Sequence, residues 1–364
     1  MPSRSAIQEA SSPGKDSSSS IDALSGDESS THSAHRVPGM SDDVDSLLGA
    51  VRLSRASKPI GFERVTLDQA RVRPHLEYVL PGLLEKTVGV IVGAGAVGKS
   101  MLSLQIGLAV AGGRPVAGGL WPAGEKAKVT LVFGEDAAVI IQERLHWLMT
   151  AEKLSAREQD EIDQNLHIFS GVAKDLRILQ KTQLGLVETS AFAELIALCR
   201  GQRLVVLDPL AFLSDVDEND NAAMTQLMRL LAECAAITGA AIVVLHHASK
   251  SGASGATVGA SIARGASAIT NHARWQLNLT TPTAEQIKAL NLPADSASRW
   301  VNLAIPKANY CTFQPDQWLE RIDGGALCLG HPSKNAAALA AGTAHAKQHQ
   351  PASSRQRLVK RDQA

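Results

Sequence analysis

The run Gly93-Ala94-Gly95-Ala96-Val97-Gly98-Lys99-Ser100 sets two glycines, a lysine and a hydroxyl in the spacing GxxxxGK[ST]. Each residue type has a chemical reason to be there. Glycines let the backbone curl until successive N–H groups converge on phosphate oxygens. The lysine reaches the β- and γ-phosphates, and the serine hydroxyl ligates Mg²⁺. A helix opening at Lys99, Ser100 and Met101 adds its positive N-terminal end. The same letters also satisfy GxGxxG through Gly93, Gly95 and Gly98, the dinucleotide fingerprint. That fold has no use for Lys-Ser at the helix start, and its ribose-binding acid belongs about 20 residues on. Leu120 to Gly124 contains no acid, and the next one at a strand end is Glu135. The spacing therefore points to a nucleoside triphosphate.

A phosphate loop serves kinases, transporters and motors alike, so the other polar strand ends must separate them. RLVVLDPL places Asp208 at the carboxyl end of an apolar strand, where a carboxylate holds the Mg²⁺ shell. A helix-capping aspartate is the plain alternative. VTLVFGEDAA puts Glu135 and Asp136 directly after another strand, where an acid can orient and deprotonate an attacking water. Asp136 also suits the N-cap of the helix that follows, which leaves Glu135 as the base. AIVVLHHASK ends a third strand in His246 and His247. Alternation sends the two side chains to opposite faces, one toward the γ-phosphate and one into packing. Two adjacent histidines make a poor zinc site.

These residues need a scaffold in which strands and helices alternate. TVGVIV (87–92), KVTLVF (128–133), RLVVLD (203–208) and AAIVVLHH (240–247) read as buried strands. KSMLSLQIGLAVAG (99–112) reads as a helix on an apolar stripe. AAVIIQERLHWLMTAEKL (137–154), AFAELIALCRG (191–201) and AAMTQLMRLLAECAAITG (222–239) read as further helices, and Ser155 as the cap of another. LHIFSG and DLRILQ are short strands or connectors. Such alternation implies parallel βαβ units. After Arg264 the rhythm changes: ARWQLNLTT, RWVNLAIPKAN and WLERIDGGALCLG look like strands joined by short turns, an antiparallel extension at the sheet edge.

Composition agrees. Aromatics are only 4% of 364 residues, which suits a helix-covered sheet better than a sandwich. The 36 basic and 36 acidic residues cancel, so any nucleic-acid contact must come from a local patch. Cys199, Cys234, Cys311 and Cys328 form no CxxC pair, as expected of a reducing cytoplasm. No apolar run approaches membrane-spanning length and no apolar leader opens the chain, so a cytoplasmic protein with no membrane partner is expected. Residues 1–58, rich in Ser, Gly, Asp and Pro, carry too little apolar surface to offset ordering entropy and read as a disordered tail. Residues 332–364 read as a second disordered tail, locally basic at Arg355, Arg357, Lys360 and Arg361. The domain between them is expected to span 59–331.

An acid after the second strand, an aspartate ending the strand beside it and a polar pair ending the next are the layout of RecA-like motors. The strings GAGAVGKSMLSLQIGLAVAGG, EDAAVIIQERLH, IVVLHHASK, ARGASAITNHARWQ, PKANY and RIDGGAL go further. Together, with the YVLPGLLEKTVG lead-in, residues 74–330 resemble the RepA-type hexameric replicative helicases of small mobilisable plasmids. The resemblance implies an α/β fold: a RecA-like P-loop NTPase core with a mostly parallel β-sheet flanked by helices and a C-terminal antiparallel extension. It implies ATP and Mg²⁺, with nucleotide contacts from Gly93 through Met101 and from Arg144, and metal support from Ser100 and Asp208. Glu135 would activate water and His247 would sense γ-phosphate loss. Arg264 would be a finger reaching the neighbouring subunit's site, which makes hydrolysis depend on assembly. The Gly/Ser-rich stretch ASKSGASGATVGASIA would carry a DNA-contacting loop, with Lys250 and Ser251 on single-stranded DNA.

One position departs from the wider hexameric helicase pattern, in which a late strand carries a Lys-x-Arg pair. Here IPKANY supplies Lys307, but Asn309 stands where the arginine would. Lys307 remains a candidate cation in trans, and the bidentate role falls to Arg264. The implied partners are single-stranded DNA, a homohexamer, and separate origin-binding, loader and primase proteins. The competing reading from the same core is a RecA-like DNA-binding ATPase that does not unwind. A small-molecule kinase would need a basic lid cluster, which is not evident.

Overall fold

The computed structural model describes residues 63–249, 259–263, 267–293, 296–312 and 314–332. Positions 1–58 and 333–364 of the two expected tails lie outside the described residues. A small β1–β2 hairpin (Tyr78–Leu80, Leu83–Leu84) leads into β3 (Val88–Gly93), α1 (Lys99–Gly112), β4 (Val129–Phe133) and α2 (Ala138–Ala151). Then come α3 (Ala156–Asp163), β5 (Leu166–Ser170), a β6–β7 hairpin (Leu179–Thr182, Gly185–Glu188) and α4 (Ala191–Cys199). β8 (Leu204–Asp208), α5 (Asn221–Thr238), β9 (Ala241–His247) and α6 (Ser267–His272) complete the α/β alternation. The described residues end in β10 (Trp275–Thr280), α7 (Ala284–Ala289), β11 (Trp300–Ala308), β12 (Gln317–Arg321) and β13 (Leu327–Gly330).

Among the described residues the main sheet has nine strands, in the order β13-β12-β11-β10-β3-β9-β8-β4-β5. Strands β5, β4, β8, β9, β3 and β10 run parallel, and β11 to β13 antiparallel. Strands buried on both faces read as nearly continuous apolar runs, as VGVIVG and VTLVF do. Each face has its own core. Ile91, Leu131, Val206 and Val243 pack under α1, α2 and α3. Val90, Val92, Val205, Leu207 and Val244 pack under α4, α5 and α6. The fold is α/β, a mostly parallel sheet with helices on both faces and an antiparallel extension at one edge. Among the described residues no helix is long and apolar enough to cross a membrane.

Several expectations are corrected. ARWQLNLTT was expected to open the antiparallel extension, but β10 pairs parallel with β3. Helix α6 intervenes and brings the chain back to the far end of the sheet, so the extension proper begins at β11. The expected apolar stripe of α1 is instead a helix buried nearly all round, because α3 and the β13 end cover what would be its solvent face. α2 ends at Ala151 rather than Leu154: Lys153 takes a left-handed φ of 51°, and Leu154 N–H turns back to the Met149 carbonyl at 3.0 Å. DLRILQ, read as a short strand or connector, is both: Leu179 and Gln180 at its end open β6 of a separate two-stranded hairpin. Helix α7 was missed, although its Thr283 and Gln286 close a capping box. Ser155 caps α3 in the same way, as expected.

Candidate active site

In open parallel sheets, ligand sites form beyond the carboxyl ends of the strands. Here the ends of β3, β4, β8 and β9 face one cavity of about 340 Å³, a size suited to a small-molecule ligand. The phosphate loop lines it with Gly95, Ala96, Gly98, Lys99, Ser100 and Met101. The turn after β4 contributes Glu135 and Asp136, α2 contributes Arg144, and the ends of β8 and β9 contribute Asp208 and His247.

The loop works through its backbone. Gly98 sits at φ 109°, a conformation that only glycine adopts without strain, and its carbonyl accepts the first α1 hydrogen bond from Leu102 N–H at 2.9 Å. The Lys99 ammonium donates to the Gly93 and Ala94 carbonyls, each at 2.9 Å, so it lies across the loop. Gly93 and Ala94 thus serve through their carbonyls, whereas Val97 is 2% exposed and packs into the core; none of these three lines the cavity. Burial pushes the Lys99 pKa down, against the opposing pull of Asp208 and Glu135.

Ser100 Oγ donates to Asp208 Oδ2 at 2.6 Å. Burial pushes the Asp208 carboxyl up to about 6, against the Ser100 hydrogen bond and Lys99, while Asp136 and Glu135 push it further up. A hydroxyl and a desolvated carboxylate in contact, beside a second acid, form an oxygen donor set that fits a hydrated Mg²⁺ sharing phosphate ligands. Among the described residues no group of three or more His, Cys, Asp or Glu side chains could hold a metal alone. Gly134 N–H donates to the Asp208 carbonyl at 2.7 Å, so the turn bearing Glu135 hangs on the strand bearing Asp208.

Asp136 is not the helix cap. Ala137 takes that position with no side-chain cap bond, and both Asp136 oxygens accept from the Arg144 guanidinium, one of them at 3.1 Å. A charge-assisted fork outcompetes a single backbone N–H. Arg144 lines the cavity, with Asp136 as its partner.

The two histidines divide as alternation requires. His246 is 1% exposed within the sheet, and His247 faces the cavity. Just beyond, Ala248 N–H donates to the Gly93 carbonyl at 3.0 Å, the oxygen that also accepts from Lys99. Ser249 N–H then donates to the Ile262 carbonyl at 2.9 Å, and Ala248 bridges Ala263. Ala248 and Ser249, directly after His247, therefore lie beside Ile262 and Ala263. Lys250, Ser251 and Arg264 lie outside the described residues. Lys307 is apart from the cavity: its ammonium donates to the Thr270 and Asn271 carbonyls at 2.7 and 3.1 Å, at the C-terminal end of α6.

Sequence reasoning missed one wall. Arg321, at the end of β12, and Gly325, in the turn joining β12 to β13, also line the cavity. The string RIDGGAL was noticed, but nothing in it indicates that the turn folds over the phosphate loop.

Two solved structures are similar in outline. One, an ATPase domain, is 13% identical, covers 79% of this chain and 99% of its own, with a TM-score of 0.45. The crystal structure of the RadB recombinase is also 13% identical, covers 67% of this chain and 90% of its own, with a TM-score of 0.42. The family described as an AAA domain matches residues 56–253, more than half of the chain. Its match contains the phosphate loop, Glu135, Arg144, Asp208 and His247, and the chain belongs to that AAA domain family.

Proposed function

We propose that this chain is an ATP-dependent replicative DNA helicase. In this reading it is a ring-forming motor that hydrolyses ATP at subunit seams, moves along single-stranded DNA and unwinds duplex during plasmid or mobile-element replication. The observation that carries the reading is the Gly93 carbonyl. It receives both the Lys99 ammonium and the Ala248 N–H, directly after His247 and shortly before Lys250 and Ser251 in the chain. A change in Lys99 on binding phosphate is thereby felt at the root of the segment expected to touch DNA.

Each residue has a part in that scheme. Lys99 leaves the loop carbonyls for phosphate oxygens. Glu135 orients the attacking water and accepts its proton, a role typically worth 10²- to 10⁴-fold. Ser100 and Asp208 would hold magnesium, which when bound neutralises charge on the β- and γ-phosphates. His247 reads the loss of the γ-phosphate and passes it to the Ala248–Gly93 contact. Arg264 of one protomer completes the site of its neighbour.

The test is unwinding of a forked duplex, with particle size measured with and without ATP, beside Lys99→Ala and Arg264→Ala. Closed hexamers and strand separation are expected of the wild type, and Lys99→Ala should abolish turnover. Arg264→Ala should still bind nucleotide but fail to hydrolyse it. Full-rate hydrolysis by isolated monomers overturns the seam, and filaments on DNA without unwinding overturn the helicase reading in favour of a non-unwinding RecA-like ATPase.

A further inference from the structure

We propose that Arg321 is a positioning residue for the nucleotide: a guanidinium from the same chain that braces the phosphate loop by its backbone carbonyls. The inference rests on the ATP reading and names a residue that prepares its site.

The geometry is specific. Arg321 Nη2 donates to the Val97 carbonyl at 3.1 Å and to the Ala96 carbonyl at 3.4 Å. Ala96 holds a left-handed φ of 58° without being glycine, a conformation that persists only where the surroundings enforce it. The Val97 carbonyl shares its peptide unit with the N–H of Gly98, one of the loop's cavity-lining residues. A cation on the oxygen end of a peptide unit strengthens the donor at its other end and fixes its direction. Arg321 thus acts on the phosphate-binding face of the loop through the backbone.

The wall behind Arg321 is built to hold it there. Gln105, 3% exposed within α1, donates to the Leu327 carbonyl at 2.7 Å and accepts from the Leu327 N–H at 2.9 Å. Leu327 also closes on Gly98, where an added Cβ would come within 3.2 Å of Leu327 Cδ1. On the other side Gly324, at φ 70°, lies against Trp147 of α2 so closely that an added Cβ would fall 2.1 Å from the indole Cγ. The turn is therefore fixed both to the helix that follows the loop and to the helix that carries Arg144. The antiparallel extension completes the nucleotide site in cis.

The experiment measures binding of ADP and of a slowly hydrolysed ATP analogue to the full chain, with steady-state ATPase, for wild type, Arg321→Ala and Arg321→Lys. Arg321→Ala is expected to weaken both nucleotides about 10- to 30-fold and to raise KM in proportion. kcat should stay within about threefold, and the thermal midpoint without nucleotide should hold. Arg321→Lys, whose ammonium can still donate to the two carbonyls, should recover most of the affinity. Arg321→Ala binding within twofold of wild type overturns the proposal. So does a fall in thermal midpoint that accounts for the lost affinity and that lysine does not rescue. A wild-type chain that binds neither nucleotide overturns the ATP reading as well, a result separate from either.

Discussion

The two sides of the nucleotide cavity are made in opposite ways. The phosphate-loop side is one continuous stretch, β3 through the start of α1, and its contacts come from a strand end, a glycine turn and a helix N-terminus. The opposite wall is a hairpin end whose anchor, Leu327, lies 222 positions from the Gln105 side chain that holds it. The first side acts through groups that a short string dictates. The second exists only because β11, β12 and β13 pair in register and carry the Arg321–Leu327 turn back over the loop. Chemistry should therefore be separable from stability on the first side and tied to it on the second.

The largest expected effect is on the first side. Glu135→Gln keeps the size of the side chain and removes its basicity. Turnover should fall on the order of 10³-fold, about 4 kcal/mol in the barrier, with nucleotide affinity retained. Steady-state ATPase beside equilibrium ADP binding measures both. Loss of affinity equal to the loss of turnover would show that Glu135 serves binding rather than proton transfer.

The second side should behave differently. Gln105→Ala removes a side chain that satisfies both the N–H and the carbonyl of Leu327 in a buried setting. Leaving each group unpaired costs about 1–3 kcal/mol, so a loss of about 3 kcal/mol is expected in chemical denaturation. Nucleotide affinity should fall with it, because the turn bearing Arg321 loses its anchor. An unchanged stability would mean that the wall is held by its strand pairing alone.

This contrast also explains what could be read in the sequence. Asp208, Glu135 and the two histidines sit at the ends of apolar runs, where strand direction and alternation leave little freedom: Asp208 and the histidines end expected strands, and Glu135 follows one closely. Asp136 was misassigned because a local cap and a fork to Arg144, two helical turns on, leave the same letters. Only the folded geometry shows which one the carboxylate takes. β10 was placed in the wrong part of the sheet because six residues of pattern do not record which way a strand runs. Gln105 did leave a trace: an amide in the middle of SLQIGLAV is costly in a buried helix unless something bonds it. What bonds it is a backbone unit in another region of the chain, and no local pattern specifies that. Arg321 is hidden for the same reason. Arg264, Lys250 and Ser251, which the resemblance implies, lie outside the described residues and remain part of the proposal.

The last expected effect, no larger than that of Gln105→Ala, turns on the same aspartate that the sequence did reveal. Burial pushes Asp208 up to about 6 from an ordinary 3.8, so in the nucleotide-free protein the folded state holds its proton where the unfolded chain has lost it. Stability from this group is therefore fully present below about pH 4 and is lost as pH rises through about 6, since the folded state binds more protons across that window. At about 1.4 kcal/mol per pKa unit, ionised Asp208 lowers stability by roughly 3 kcal/mol at neutral pH. Asp208→Asn resembles the protonated form and can still accept from Ser100, so it should escape that penalty. Denaturation midpoints of the two proteins should nearly coincide near pH 4, diverge between about pH 4 and 6 and stay apart above that, with the asparagine variant the more stable. Saturating Mg²⁺ and ADP should reverse the order, because the cation rewards only the ionised carboxylate. A stability difference that is the same at every pH would mean that Asp208 is held by packing, and that the site does not keep a carboxylate in waiting for a cation.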